Sequence, residues 1–451
     1  MTQRSARNDN LPTAAAADPT LVDALKARVR RQVEANSARC IAFSHRLHAT
    51  PELAYEEFMA STWLAEELTK VPTARVEHGV GELPTAVRAQ VGTGELVVTI
   101  CAEYDALPEV GHACGHNVIA SSALGAFIGL AEVVDELGIT LRLLGTPAEE
   151  SGGGKIDLLR QGAFDGTHAA MMVHPGDISQ ATMTPLACTD YQIEYTGVSA
   201  HASASPWAGV NAQDAMVVAM TAIGLARQQL EPLQQIHGAL HSAGGAPNVI
   251  TESATGVWVI RAESFSSLNR VSEILRRCFA AGALATGATL KMTRLSRPYG
   301  RMKNDAAIAA LFAQNAVGLG RAMDSGPVKE GGSTDMANVS QYFPAIHPML
   351  CLGDGSATPH TAEFAELAGG ETGDATLIDA AMAMAFTTVD LASDPQQRER
   401  LLRVPAPDTS GAGAELDDKG VLRKSFERVV DDAPADGGGV SDGELVVSSE
   451  I

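Results

Sequence analysis

The stretch His112-Ala-Cys-Gly-His116 places a thiol and an imidazole two residues apart. In an extended turn, residues i and i+2 point the same way, so Cys114 and His116 can share one ion. A lone Cys-x-His pair is a weak signal, as are the adjacent acids Glu149 and Glu150. These acids, however, follow Pro147 and precede Gly152-Gly-Gly. A tight glycine turn after two carboxylates suits a site better than a solvated helix face. His174, before Pro175, and His360 complete a set of Cys, His and Glu donors, the usual ligands of a borderline-soft divalent metal such as zinc. Hydrolytic metal sites also need a carboxylate close by as base, and two neighbouring glutamates supply one that binds and one that stays free. The sequence has no G-x-S-x-G elbow, no G-x-x-x-x-G-K-[ST] loop and no strand-linked G-x-G-x-x-G, so no rival chemistry competes.

The elements that must hold these residues are visible as apolar runs. Leu96 to Ala102 reads as a buried strand ending in Glu103-Tyr-Asp-Ala-Leu-Pro. Asn117 to Leu137 reads as a helix closed by Gly138. Thr140 to Thr146 is a second strand, ending at Pro147-Ala-Glu-Glu, and Ala169 to Val173 a third, ending at His174. Such alternation predicts an α/β domain with a largely parallel sheet, whose ligands bind beyond the carboxyl ends of the strands. Each of these runs ends there in His, Asp or Glu. From 186 to 297 the rhythm changes: an alternating strand at Tyr191 to Thr196, a helix from Asn211 to Gln229, strand character over Asn248 to Arg261, a helix from Leu268 to Ala285 and a strand at Thr289 to Arg294. This predicts a small α+β sandwich inserted into the larger domain, which occupies 20–185 and 298–395. Helices over Asp305 to Leu319 and Thr376 to Leu391 complete the larger domain.

The motifs together resemble the M20 family of metallopeptidases and amidohydrolases, most of all the branch with aminobenzoyl-glutamate hydrolase and β-alanyl-lysine dipeptidase-like proteins. The matching stretches are His45-Arg-Leu-His-Ala-Thr-Pro-Glu-Leu-Ala-Tyr-Glu-Glu, Ala102-Glu-Tyr-Asp-Ala-Leu-Pro and Gly111-His-Ala-Cys-Gly-His-Asn. They continue through Gly145-Thr-Pro-Ala-Glu-Glu-Ser-Gly-Gly-Gly-Lys, Val173-His-Pro and Ser199-Ala-His-Ala-Ser-Ala-Ser-Pro-Trp, and end with Gly332-Ser-Thr-Asp and Pro359-His-Thr-Ala-Glu-Phe. The likeness runs from about 40 to 393 in the family's order and leaves both termini outside.

Carried over residue by residue, the resemblance implies metal ligands at Cys114, His116, Glu150, His174 and His360, and a general base at Glu149. It implies that Asp105 orients a ligand. His201 matches a histidine of the inserted lid domain that reaches the active site of the other subunit, which implies a homodimer joined through that domain. Asn248 and Arg261 match residues that hold the substrate's carboxylate, as suits the bidentate chemistry of Arg. Many members carry a metal-binding His where this chain has Glu103; the Cys-x-His pair makes good the ligand count, so Glu103 stays outside the expected set. His45 and His48 are expected to shape a helix end, and His347 to pack. The implied cofactor is one or two divalent ions, Zn²⁺ or Mn²⁺. The implied reaction is hydrolysis of the amide bond of an N-acyl amino acid or dipeptide by a metal-activated water. Two other readings stay open on the same residues: an aminohydrolase releasing ammonia from an aromatic or heterocyclic amine, and a non-catalytic metal-binding scaffold.

Composition narrows the partners. The 451 residues include 54 acids and 33 bases, for a formal charge of −21, which argues against nucleic acid and anionic membranes. Six scattered cysteines and the lack of an apolar N-terminal core point to a reduced, cytoplasmic protein. The first 19 residues and the span 404–451 lack helix or strand periodicity, apart from a possible short helix at Val421 to Val430, and are expected to be disordered. From Asp408 onward, eleven acids and four bases give that tail a net −7, leaving −14 on the body.

Overall fold

The computed structural model describes residues 18–326, 332–409 and 444–447. A first pass of the chain lays down β1 (Arg75–His78), β2 (Val87–Val91), β3 (Leu96–Ala102), β4 (Ile139–Gly145) and β5 (Ala169–Met171), followed by the short β6 (His174–Gly176). It then leaves this body to form β7 (Ala187–Thr196), β8 (Gln235–Ser242), β9 (Ser253–Ala262) and β10 (Thr289–Arg294), and returns with β11 (Ala345–Ile346) and β12 (Met349–Cys351). The body sheet runs β1-β2-β4-β3-β5-β11. Its four strands from β4 to β11 are parallel, and β2 and β1 add an antiparallel end. The expected parallel sheet is thus the centre of a mixed one.

Strand β3 is buried at six of its seven positions and β4 at all seven. Such continuous apolar runs belong to strands covered on both faces. One covering layer is the helix His116–Ala131, packed beside the helix Glu371–Ser393 in the main core. The latter is long and apolar enough to cross a membrane by length and composition, but it is mostly buried within this core. The helix expected over 117–137 breaks at Glu132–Val133 and resumes as Val134–Leu137, with Gly138 left-handed at its end.

The inserted unit has a core of its own, made of residues between Ala187 and Met292. The helices Ala212–Ala226 and Phe265–Thr286 pack on its sheet, whose order is β13-β10-β7-β9-β8. The sequence reading placed strand character at 248–261 and missed β8, a sheet edge whose residues alternate poorly and are exposed at seven of eight positions. The other edge corrects the expected disordered tail at four residues. Glu444–Val447 form β13, antiparallel to β10, with Val447 opposite Leu290 and Glu444 opposite Thr293. Leu-Val-Val suits a strand, and β10 offers a row of backbone groups that pairing satisfies. The tail's expected helix at 421–430 lies outside the described residues, as do residues 1–17 of the expected N-terminal segment. Pro19 already opens a helix, capped by Asp18, whose Oδ1 accepts from the Thr20 amide at 3.0 Å.

Candidate metal centre

The site is assembled by strand register. β3 and β4 are parallel with Ala102 opposite Gly145, so they end at the same level and bring Glu103 and Asp105 beside Glu149 and Glu150. From the third parallel strand, β5, the chain passes at once into β6, whose first residue is His174. Cys114 and His116 flank Gly115 at the start of the helix His116–Ala131. Gly115 has φ +80, and a Cβ there would lie 2.5 Å from Pro175 Cγ, so the turn requires glycine. His360 is tied to the same turn by its backbone amide, which donates to Ala113 O at 2.8 Å.

The five expected ligands come together. Donor atoms of Cys114, His116 and His174 lie within 4.8 Å of one another, and so do those of Cys114, Glu150 and His360. Cys114 belongs to both trios. A third trio joins Glu103, His116 and Glu149. His116 Nδ1 sits 2.8 Å from Asp105 Oδ1, and His174 Nδ1 2.5 Å from Pro175 O. Each contact leaves the Nε2 of that ring to face the cluster, the arrangement that orients metal-binding imidazoles. His116 Nε2, Glu150 Oε1 and Glu103 Oε2 are buried without a hydrogen-bond partner among the described residues. Buried polar atoms are otherwise almost always satisfied. A soft-to-borderline donor set with orphaned ligand atoms fits a divalent cation.

The electrostatics are those of crowded buried donors. Burial lowers His116, but Asp105 and Cys114 outweigh it and hold the imidazole well above its ordinary value. Burial pushes the Cys114 thiol well up, so a bound cation would displace a proton from each of these two groups. Burial, Glu103 and Glu150 push the Glu149 carboxyl well up, which makes it a strong proton acceptor. Burial and His116 push His174 down to about 4, so its imidazole is neutral and free to ligate. Burial raises the Asp105 carboxyl, but His116, the Glu150 amide and Lys155 together outweigh it and hold the group below its usual range. Glu149 is 6 % exposed, and its carbonyl accepts from the Tyr299 hydroxyl at 2.6 Å.

Sequence reasoning missed an ionic core behind the ligands. Lys155 is fully buried between Glu103 and Asp335; its Nζ donates to Asp335 Oδ1 at 2.7 Å and to Glu103 Oε1. Both Lys155 and Asp335 stood inside matched motifs, but their pairing across 180 positions carries no local signal. Glu103 Oε2 remains 3.6 Å from His116 Nε2.

A cavity of about 410 Å³ opens beside the cluster and is lined by Cys114, Glu149, Glu150, His174 and His360. Arg261 reaches it from β9, with Nη1 donating to Gly332 O at 2.9 Å. The residues paired in the sequence reading are therefore separated: Asn248 is exposed and does not line this cavity. It lies instead with His201, since Ala202 N donates to Asn248 O and His201 bridges to Val249. His201 is exposed too, and its Nδ1 accepts from the Ser203 and Ala204 amides at 3.3 and 3.2 Å. That fixes the ring proton on Nε2 and presents a donor outward. His45 and His48 bond Asp374 Oδ1 and Ala365 O, as structural residues do. His347, expected to pack, lines the cavity edge-on to His174.

Thiol, imidazole and carboxylate donors at the ends of parallel strands, with a free carboxylate among them, define a metal-dependent hydrolase. Residues 99–383 match the peptidase family M20/M25/M40, and the chain belongs to that family. It is 36% identical over 394 residues to an Xaa-Arg dipeptidase of Mus musculus, covering 83% of this chain and 90% of the mouse protein. It is 29% identical over 280 residues to one of the p-aminobenzoyl-glutamate hydrolase chains of Escherichia coli, covering 57% of this chain and 58% of that one. Among solved structures, a dinuclear metal binding peptidase of the M20 family from Bacillus subtilis has the same fold, with a TM-score of 0.59 at 22% identity over 80% of this chain and 99% of that one. The protein is a metallohydrolase acting on amide bonds.

Proposed function

We propose that this enzyme hydrolyses the amide bond of a dipeptide or N-acyl amino acid, with Cys114, His116, Glu150, His174 and His360 holding two divalent ions, Zn²⁺ or Mn²⁺, and Glu149 as general base. The observation that carries this is the placing of two orphaned ligand atoms, His116 Nε2 and Glu150 Oε1, 3.8 Å apart beside the raised carboxyl of Glu149. When bound, the ions supply a lowered water pKa and polarise the amide carbonyl. Glu149 takes a proton from the attacking water and passes it to the leaving amine. Asp105 keeps His116 in register throughout. Arg261 receives the substrate's carboxylate from the cavity wall.

His201 donates from Nε2 to the developing oxyanion of a second subunit's site. What supports this is its exposure beside Asn248, away from its own cavity, on a unit whose β8 edge is unpaired among the described residues. The enzyme is accordingly a homodimer through the inserted unit. A cytoplasmic location fits the six free cysteines. Two relatives are named Xaa-Arg dipeptidases, and on that likeness the substrate proposed first for this chain is a dipeptide ending in Arg.

The test is incubation of the Zn²⁺- or Mn²⁺-loaded protein with dipeptides ending in Arg or Lys, N-acyl amino acids and aminobenzoyl-glutamate, with products identified by mass spectrometry. Release of a free amino acid is expected. Ammonia without a liberated amino acid would show an aminohydrolase instead, and tight metal binding with no hydrolysis would leave a scaffold.

A further inference from the structure

Glu57 is 0 % exposed at the start of the helix Phe58–Thr69. A carboxylate in that place ordinarily caps its own helix, but here Glu52 does so, accepting from the Met59 and Ala60 amides at 3.0 and 2.8 Å. Glu57 is turned the other way. Its Oε1 accepts from the Ala148 amide at 2.8 Å and from the Tyr55 amide at 3.0 Å, and its Oε2 from the Thr85 hydroxyl at 2.9 Å.

Ala148 needs such a partner. It stands immediately before Glu149 with φ +59, in the left-handed region that a residue with a Cβ rarely adopts. Its carbonyl accepts from the Gly153 amide at 2.9 Å. On the other side of Glu149, Asp105 Oδ2 accepts from the Glu150 amide at 2.9 Å. Two buried carboxylates, from different parts of the chain, therefore grip the amides that flank Glu149.

We propose, on the reading of Glu149 as general base, that Glu57 is a positioning residue of the reaction, which holds Ala148 left-handed and so aims a Glu149 side chain it does not touch. Asp105 and Glu57 act as the two jaws of one clamp, and only the first of them also contacts a metal-ligand residue. Nothing in this role requires Glu57 to exchange a proton or meet the substrate.

The experiment compares the metal-loaded full chain as wild type, Glu57→Ala, Glu57→Gln and Glu57→Ala/Ala148→Gly. Hydrogen–deuterium exchange over peptides spanning 146–154 needs no substrate. Loop exchange should quicken about tenfold or more in Glu57→Ala and stay near wild type in Glu57→Gln, whose Oε1 still accepts. In turnover, Glu57→Ala should lose about ten- to a hundredfold in kcat through misplacement of the base, with KM and bound metal within about twofold. The Gln variant should keep kcat within about threefold. Glycine adopts φ +59 freely, so Ala148→Gly should restore part of the lost kcat. Unchanged loop exchange in Glu57→Ala, a Gln variant as impaired as the Ala variant, or a kcat that falls only in step with bound metal would each overturn the proposal. If the wild type hydrolyses nothing, the base assignment of Glu149 fails on its own, and exchange still decides whether Glu57 holds the loop.

Discussion

Glu149 sits in an uncommon environment: buried, beside Glu103 and Glu150, with Asp335 adding to the same negative field. A water-exposed glutamate is a weak base at neutral pH, whereas one whose charge is disfavoured by burial and by like neighbours takes a proton readily. Glu149→Gln keeps the shape, removes the basic lone pair and relieves repulsion in the cluster. It should lower kcat by about 10²- to 10⁴-fold while leaving the ion content, read by inductively coupled plasma mass spectrometry, and the melting temperature at or above those of the wild type. Near-normal turnover would end the assignment. Glu57 offers a second prediction of the same scale. Burial, and after it Asp105, push its carboxyl from 4.5 up to about 7. The folded chain therefore holds this proton more tightly than the unfolded one, so stability falls as pH rises from about 4.5 to about 7 and is level above. At pH 8 the ionised group costs up to about 3 kcal/mol. Glu57→Gln, which carries no charge, should be more stable than the wild type at pH 8, with an advantage that shrinks towards pH 5. Denaturant unfolding of both proteins across that range checks it, and a constant difference would refute it.

At the scale of elements, the site depends on where strands stop and how the next turn is built. The turn at Cys114-Gly-His116 is the most exacting, because two proposed ligands flank a residue that has no room for a methyl group. Gly115→Ala combines a left-handed penalty with a contact on Pro175, the neighbour of His174. It should cost about 1–3 kcal/mol of stability and weaken metal binding at least tenfold, read by competition with a chromophoric chelator. Metal affinity equal to wild type would show that the turn tolerates the shift. This level was the most legible in the sequence. Leu96–Ala102 and Thr289–Arg294 were read with their observed ends, because apolar runs and strict alternation are local signals. The strand Gln235–Ser242 was missed because an exposed edge needs no apolar face, and Glu444–Val447 because its pairing partner lies far away in the sequence. The proposed metal ligands were legible as residue types close to strand ends. Their support was not: Lys155 meets Glu103 and Asp335, and Glu57 meets Ala148, through contacts 52, 180 and 91 positions apart. Charge alone would mark Lys155 and Glu57 as surface residues.

At the scale of the molecule, the inserted unit divides the residues proposed to act in the reaction between two directions. Arg261 faces the cavity of its own chain, while His201 and Asn248 lie together on an exposed part of the unit. On the proposed role of His201 a single chain has an incomplete site, and a two-fold dimer would complete both sites at once, because each partner would present the same surface. The same unit leaves Trp207, close to His201 in sequence, 82 % exposed, and Leu240 on the β8 edge 46 % exposed, apolar area that an interface would bury. His201→Ala should lower kcat by about 10²- to 10³-fold, the usual effect of removing one oxyanion donor, with its own metal cluster intact. Glu149→Gln disables the other half of the machinery. When the two inactive proteins are dissociated and reassembled together in equal amounts, random pairing makes about half of the dimers mixed. Each mixed dimer holds one site with both defects and one with neither. Activity should therefore return to about a quarter of the wild-type value, and should do so only after subunit exchange. Mixing that restores nothing, in dimers shown by native mass spectrometry to be mixed, would place His201 in its own subunit's site or outside the reaction.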